Sequence, residues 1–157
     1  MTAKASSVVL TAMILLSLGA CRAKGPDLSG SWKLNVNKSH WGKVRKPNSV
    51  MLEIRHDDPA LKYHGWVVDA ESDGREFEFD GVINGQEQPV RGARGDGMIA
   101  FTRRADNVLV SRFKSSDGRL TEEAETSISA DGRTLTRRTR LMRGDNKMAW
   151  TEVYERR

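Results

Sequence analysis

The sequence has a single cysteine, Cys21, in 157 residues, and only three histidines. One thiol cannot make an internal disulfide, so the fold carries no such staple. His40, His56 and His64 are scattered without metal-ligand spacing, and the positions of His40 and His56 near loops place both on the surface. The glycine-rich stretch Gly95-Asp96-Gly97 follows no parallel strand and opens no helix, so it is a loop and not a phosphate cradle. No serine has a base in a computable register. The net charge of +5 comes from Lys and Arg that alternate with Asp and Glu, and no basic block with interleaved aromatics appears. These absences leave no expected catalytic residue, metal site, cofactor or nucleic-acid partner. They point to a non-enzyme with a solvated, mildly cationic surface.

Long apolar runs are also missing, with one short exception at the start. "MTAKASS" carries a positive charge at Lys4, and "VVLTAMILLSL" is an apolar run too short to span a bilayer, which takes about 20 residues. Gly19 and Ala20 follow it. This is the layout of a secretory signal over residues 1–20. Leu18-Gly19-Ala20-Cys21 resembles the lipobox of bacterial lipoproteins. The resemblance implies cleavage before Cys21 and acylation of that residue, which would hold the protein on a membrane facing the periplasm, in the Gram-negative case the outer membrane. Several acyl chains at about 0.8 kcal/mol per buried methylene suffice for that. An acylated Cys21 also leaves no thiol for zinc binding or nucleophilic catalysis. Residues 21–29, "CRAKGPDLS", read as a polar tether broken by Gly25 and Pro26. Residues 30–157 are of one-domain size.

That domain has no long helical periodicity and is punctuated by turn dipeptides: Asp73-Gly74, Asn84-Gly85, Asp117-Gly118 and Asp131-Gly132, with Pro59 and Asp145-Asn146 as weaker marks. Such pairs accept the positive φ of tight hairpin turns. Each turn sets a register. Asp131-Gly132 places Ile128 opposite Leu135, Glu125 opposite Arg138 and Glu123 opposite Arg140. Asp117-Gly118 places Arg112 opposite Glu123, and puts Leu109 and Phe113 on the inner face with Ile128. Asn84-Gly85 pairs Phe79 with Val90 and Glu78 with Arg91; Asp73-Gly74 pairs Ala70 with Phe77 and Val68 with Phe79. The implied strands are 30–36, 48–56, 61–71, 75–83, 86–92, 97–104, 108–115, 119–129, 133–143 and 147–155. The chain is therefore all-β, a single antiparallel meander of about ten strands. Closure into a β-barrel removes the sticky edges.

The two ends of the domain carry a family resemblance. Gly30-Ser31-Trp32 resembles the Gly-x-Trp near the start of the calycins, the superfamily of lipocalins and fatty-acid-binding proteins, whose tryptophan plugs one end of the barrel. Thr151-Glu152-Val153-Tyr154 resembles the Thr-Arg-x-Tyr of the last strand in the fatty-acid-binding branch, which the ten-strand count also matches. Two departures stand out: "KSHWGKVRKPN" is too short and too rich in Gly and Pro for that branch's two-helix lid, and Glu152 stands where the family has an arginine that would grip a carboxylate. The chain most closely resembles the lipocalin-like lipoproteins of Gram-negative bacteria.

The last hairpin, read with Asp145-Asn146 as its loop, sets Leu141 against Trp150, Thr139 against Glu152 and Arg137 against Tyr154. All share the parity of Ile128 and Leu135, so Arg137, Glu152 and Tyr154 point inward, as does Glu122, opposite Phe113. Buried charges cost several kcal/mol each unless paired. Two explanations stand. In one, Arg137 and Tyr154, with Glu122 and Glu152, orient the polar head of a small apolar or amphipathic ligand, and Trp32, Trp66, Phe77, Phe79 and Trp150 line its apolar part. In the other, Arg137 and Glu152 are an internal ion pair that binds nothing, and the filled barrel is an interaction or structural module that contacts other envelope proteins.

Overall fold

The computed structural model describes residues 27–157, and the expected signal segment and Cys21 lie outside them. Ten strands follow one another: β1 (Gly30–Leu34), β2 (Ser49–Asp57), β3 (Ala60–Val68), β4 (Gly74–Val82), β5 (Gln88–Val90), β6 (Gly97–Ala105), β7 (Val108–Ser115), β8 (Leu120–Ile128), β9 (Thr134–Arg143) and β10 (Asn146–Arg156). All pairings are antiparallel, and the order around the sheet is β4-β3-β2-β1-β10-β9-β8-β7-β6-β5. The first and last strands join, with Trp32 opposite Arg156 and Leu34 opposite Tyr154. The ring shuts at β4 and β5 through a single backbone pair, Glu78 with Arg91, bonded both ways at 2.8 and 3.1 Å. Beyond it the ladder is replaced by a side chain. The Gln88 amide donates to the Val82 carbonyl at 2.7 Å and accepts from the Val82 amide at 2.9 Å.

Strand alternation builds the inside. Ile54, Leu61, Phe79, Ile99, Phe101, Leu109, Ile128 and Leu135 are buried there together. The outer face carries the expected opposite charges, with Arg112 at 3.1 Å from Glu123 and Arg138 at 3.7 Å from Glu125. Around Asp117 and Asp131 the registers are those read from the sequence, including Ile128 opposite Leu135 and Phe113 opposite Glu122. The loops themselves are longer than two residues but centred on the same peptide bonds, so register is unaffected. Each aspartate accepts from the serine two residues before it at 2.6 Å and from the amide two residues after it at 3.0 Å. These bonds hold both carboxyls below their ordinary value, the serine contact contributing most.

Two registers differ from expectation. In the β3–β4 hairpin Val68 faces Gly74 and Tyr63 faces Phe79, so neither Ala70–Phe77 nor Val68–Phe79 forms. The turn is not at Asp73-Gly74. The Asp69 carboxylate accepts from the amides of Glu71 and Asp73, both at 3.0 Å, and organises a longer loop through Ser72 at φ 67°. The shift is odd, so β3 turns over: Leu61, Tyr63 and Val67 face in, and Trp66 faces out. In the last hairpin the loop is Gly144-Asp145, with Gly144 at φ 56°. Leu141 therefore faces Met148, Thr139 faces Trp150, Arg137 faces Glu152 and Leu135 faces Tyr154. A slip of two keeps every side chain on its expected face.

The base is sealed. Trp32 is fully buried, its indole donates to the Leu28 carbonyl at 2.9 Å, and the Arg156 guanidinium lies 4.5 Å from its ring. Arg156 also donates to the carbonyls of Gly132 at 2.7 Å and of Ser29. Leu28 and Ser29 thus pack against the barrel although they sit in the stretch read as tether. His56, expected on the surface, is buried here; its Nδ1 accepts from the Leu28 amide at 3.3 Å. Beside it Asp58 is held by Arg103 at 3.0 Å, an arginine that shares the inward parity of Ile99 and Phe101 along β6.

Candidate functional site

The interior is not filled. A cavity of about 450 Å³ runs from Leu28 near the base to the loops at the opposite end. Those loops, residues 41–47, 69–75 and 92–94, form its mouth, and none of the described residues there is helical. One wall is apolar. Val50, Leu52, Ile54 and Leu61 continue into a cluster of rings, with Tyr63 and Phe79 stacked at 5.7 Å and Phe79 and Phe101 at 4.9 Å. Phe77 approaches so closely that a side chain at Gly65 would collide with it, since a Cβ there would lie 2.1 Å from the ring. Glycine at 65 is what lets the outer end of this ring sit against β3.

The facing wall, on β8, β9 and β10, is polar. Arg137 stands between two carboxylates, 2.5 Å from Glu122 and 3.4 Å from Glu152, and also donates to Thr139 at 3.2 Å. Arg94 reaches in from the mouth, 3.4 Å from Glu122 and 4.9 Å above the Trp150 ring. Burial alone would weaken the Arg137 charge, but Glu122 and Glu152 outweigh it and hold the guanidinium above its ordinary value. Burial, with Glu152 alongside, keeps the Tyr154 phenol protonated far above the usual range. Burial does the same for Tyr63, which looks onto the cluster from the apolar side. Ser111 and Thr126 add hydroxyls to the lining.

No protein-family model and no curated protein matches this sequence. Solved structures do resemble it. A Schistosoma mansoni fatty acid binding protein in complex with arachidonic acid superposes with a TM-score of 0.52 at 14% identity, over 85% of this chain and 98% of that one. A zebrafish ileal bile acid-binding protein complexed with cholic acid gives 0.55 at 10% identity, over 82% and 98%. The chain has the calycin fold.

Within this barrel the residues read from the sequence divide. Phe77, Glu122, Arg137, Glu152 and Tyr154 line the cavity. Trp32 is the sealed plug below it, Phe79 is covered by its ring neighbours, and Trp150 packs with Leu120 and Leu141 under Arg94. Trp66 does not belong to the interior. It is 40% exposed on the outer face, 4.1 Å from the His64 ring, with its indole donating to Glu76 at 3.2 Å. Its misplacement follows from the overturned β3. The same error hid Tyr63, whose signal was the odd-numbered alternation of Leu61, Tyr63, Gly65 and Val67. Arg94, Trp41 and Phe101 were also missed. Arg94 and Trp41 come from loops, which strand register does not place. Among the described residues no cluster of His, Asp or Glu is disposed to hold a metal.

Proposed function

We propose that this protein is a non-catalytic envelope lipoprotein, anchored through an acylated Cys21, whose barrel holds a small apolar or amphipathic molecule. The observation that carries the binding half is the cavity of about 450 Å³, apolar on one wall and polar on the other, a size within the range of small-molecule sites. The two similar structures hold arachidonic acid and cholic acid, each an apolar body with a polar end, and support a ligand of that general kind. The internal ion pair also exists, but it occupies one wall and leaves the space in front of it open. A filled interaction module would have no such space.

The anchoring half rests on the lipobox-like Leu18-Gly19-Ala20-Cys21. The chain enters the barrel at the sealed base, beside Trp32, and the cavity opens at the other end. In this reading the mouth faces away from the membrane that holds Cys21. Native mass spectrometry with lipid extraction tests the binding half, alongside fluorescence of the uncharged dye N-phenyl-1-naphthylamine. A co-purifying molecule or saturable dye binding is expected, and failure of both refutes it. For the anchor, Cys21→Ser is expected to leave an uncleaved or soluble product. Mature protein with undiminished membrane affinity would contradict it.

A further inference from the structure

We propose that the cavity selects amphiphiles whose head group donates hydrogen bonds and carries no negative charge, and that it discriminates against carboxylates. This rests on the ligand-binding reading above. The reason is the charge already inside. Arg137 faces two carboxylates, with one terminal nitrogen on Glu122 at 2.5 Å and the other on Glu152 at 3.4 Å. Arg94, the second cation that reaches the cluster, is also on Glu122, at 3.4 Å. A carboxylate ligand would find both guanidiniums engaged. It would have to displace a glutamate from Arg137, or sit as a third negative charge beside Glu122 and Glu152, whose side chains are each only 11% exposed. Like charges in so shielded a place repel strongly, and rejection by such juxtaposition is a common source of specificity.

The same wall welcomes a donor. An ionised carboxylate has about four lone-pair sites. Arg137 and Tyr154 contact Glu152 and leave acceptor capacity towards the cavity it lines. A hydroxyl, primary amide or ammonium can donate there, while its chain lies against Leu61, Phe77, Ile99 and Phe101.

The test uses three probes of equal chain length: tetradecanol, tetradecylamine and tetradecanoic acid. Each competes with N-phenyl-1-naphthylamine bound to the full-length protein at neutral pH, with blank carrier subtracted. The alcohol and the amine are expected to displace the dye at roughly tenfold lower concentration than the acid, or better, as one uncompensated like-charge contact implies. An acid that competes equally or better overturns the proposal while the ligand-binding reading stands. Failure of the dye and all three probes to bind overturns both. Glu152→Gln, nearly isosteric, is expected to raise the acid's apparent affinity about tenfold and to weaken the amine, which loses its ionised acceptor. An unchanged acid response in a variant with native circular dichroism overturns the charge argument.

Discussion

Replacing Arg137 by methionine removes one charge and strands two. Glu152 loses its guanidinium at 3.4 Å, and Glu122 loses the one at 2.5 Å and keeps only Arg94 at 3.4 Å, from the half-exposed mouth. Removing one partner of a buried ion pair costs about 3–5 kcal/mol, because the other charge is left uncompensated. The Arg137 side chain keeps 27% of its exposure, so water in the cavity softens the loss, and we expect about 2–4 kcal/mol. For a domain of this size that lowers the melting temperature by about 10 °C. Thermal and urea unfolding of the full-length protein, followed by tryptophan fluorescence and far-ultraviolet circular dichroism, measure it. The triple variant Arg137→Met, Glu122→Gln, Glu152→Met removes the stranded charges and should recover most of the loss. A single variant within about 0.5 kcal/mol of wild type would refute the reasoning, since it would mean the carboxylates do not depend on Arg137. A triple variant no more stable than the single would refute it too.

Two other outcomes follow from the same interior. The chain has only two tyrosines, Tyr63 and Tyr154, and burial raises both phenols. Each stays protonated when folded and ionises near pH 10 when unfolded. Stability is therefore fully present below about pH 10 and falls as pH rises above it. Absorbance at about 295 nm should show no tyrosinate until the barrel unfolds; a reversible native titration near pH 10 would contradict the burial. Gly65→Ala must push the Phe77 ring off β3, costing about 1–3 kcal/mol in overpacking. The displaced ring has only the cavity to enter, so dye binding should weaken. Undiminished stability and dye affinity would show that the ring's position is not set by Gly65.

Most of the barrel was legible because its signals were redundant. At Asp117 and Asp131 a turn dipeptide, a glycine and opposed charges such as Arg112 and Glu123 all gave one register. Reading failed where a side chain relocated the turn. Asp69 gathers the amides of Glu71 and Asp73 and draws the turn ahead of the Asp73-Gly74 signal, and the odd change of register that results expelled Trp66 and concealed Tyr63. The slip at Gly144 was even and did no harm to the site, so Glu122, Arg137, Glu152 and Tyr154 still converge. The empty volume itself was not legible. A cavity is a difference between the space a ring of strands encloses and the side chains that enter it, and no local pattern reports that difference.

The pairing of β1 with β10 also orders events in time. Hairpins such as β8–β9 are built from neighbouring residues and can form as soon as they exist. Trp32, by contrast, is covered by Arg156, which comes 124 positions later, and the Asn35 amide waits for the Val153 carbonyl. Contacts so distant in sequence form late, because the intervening chain must first be ordered. A ribosome that has not yet released the last strand therefore holds an open ribbon with its plug exposed. Loss of even the last four residues, Tyr154 to Arg157, would remove every ladder pair between β1 and β10 and leave the seam to Asn35 with Val153 and His40 with Thr151.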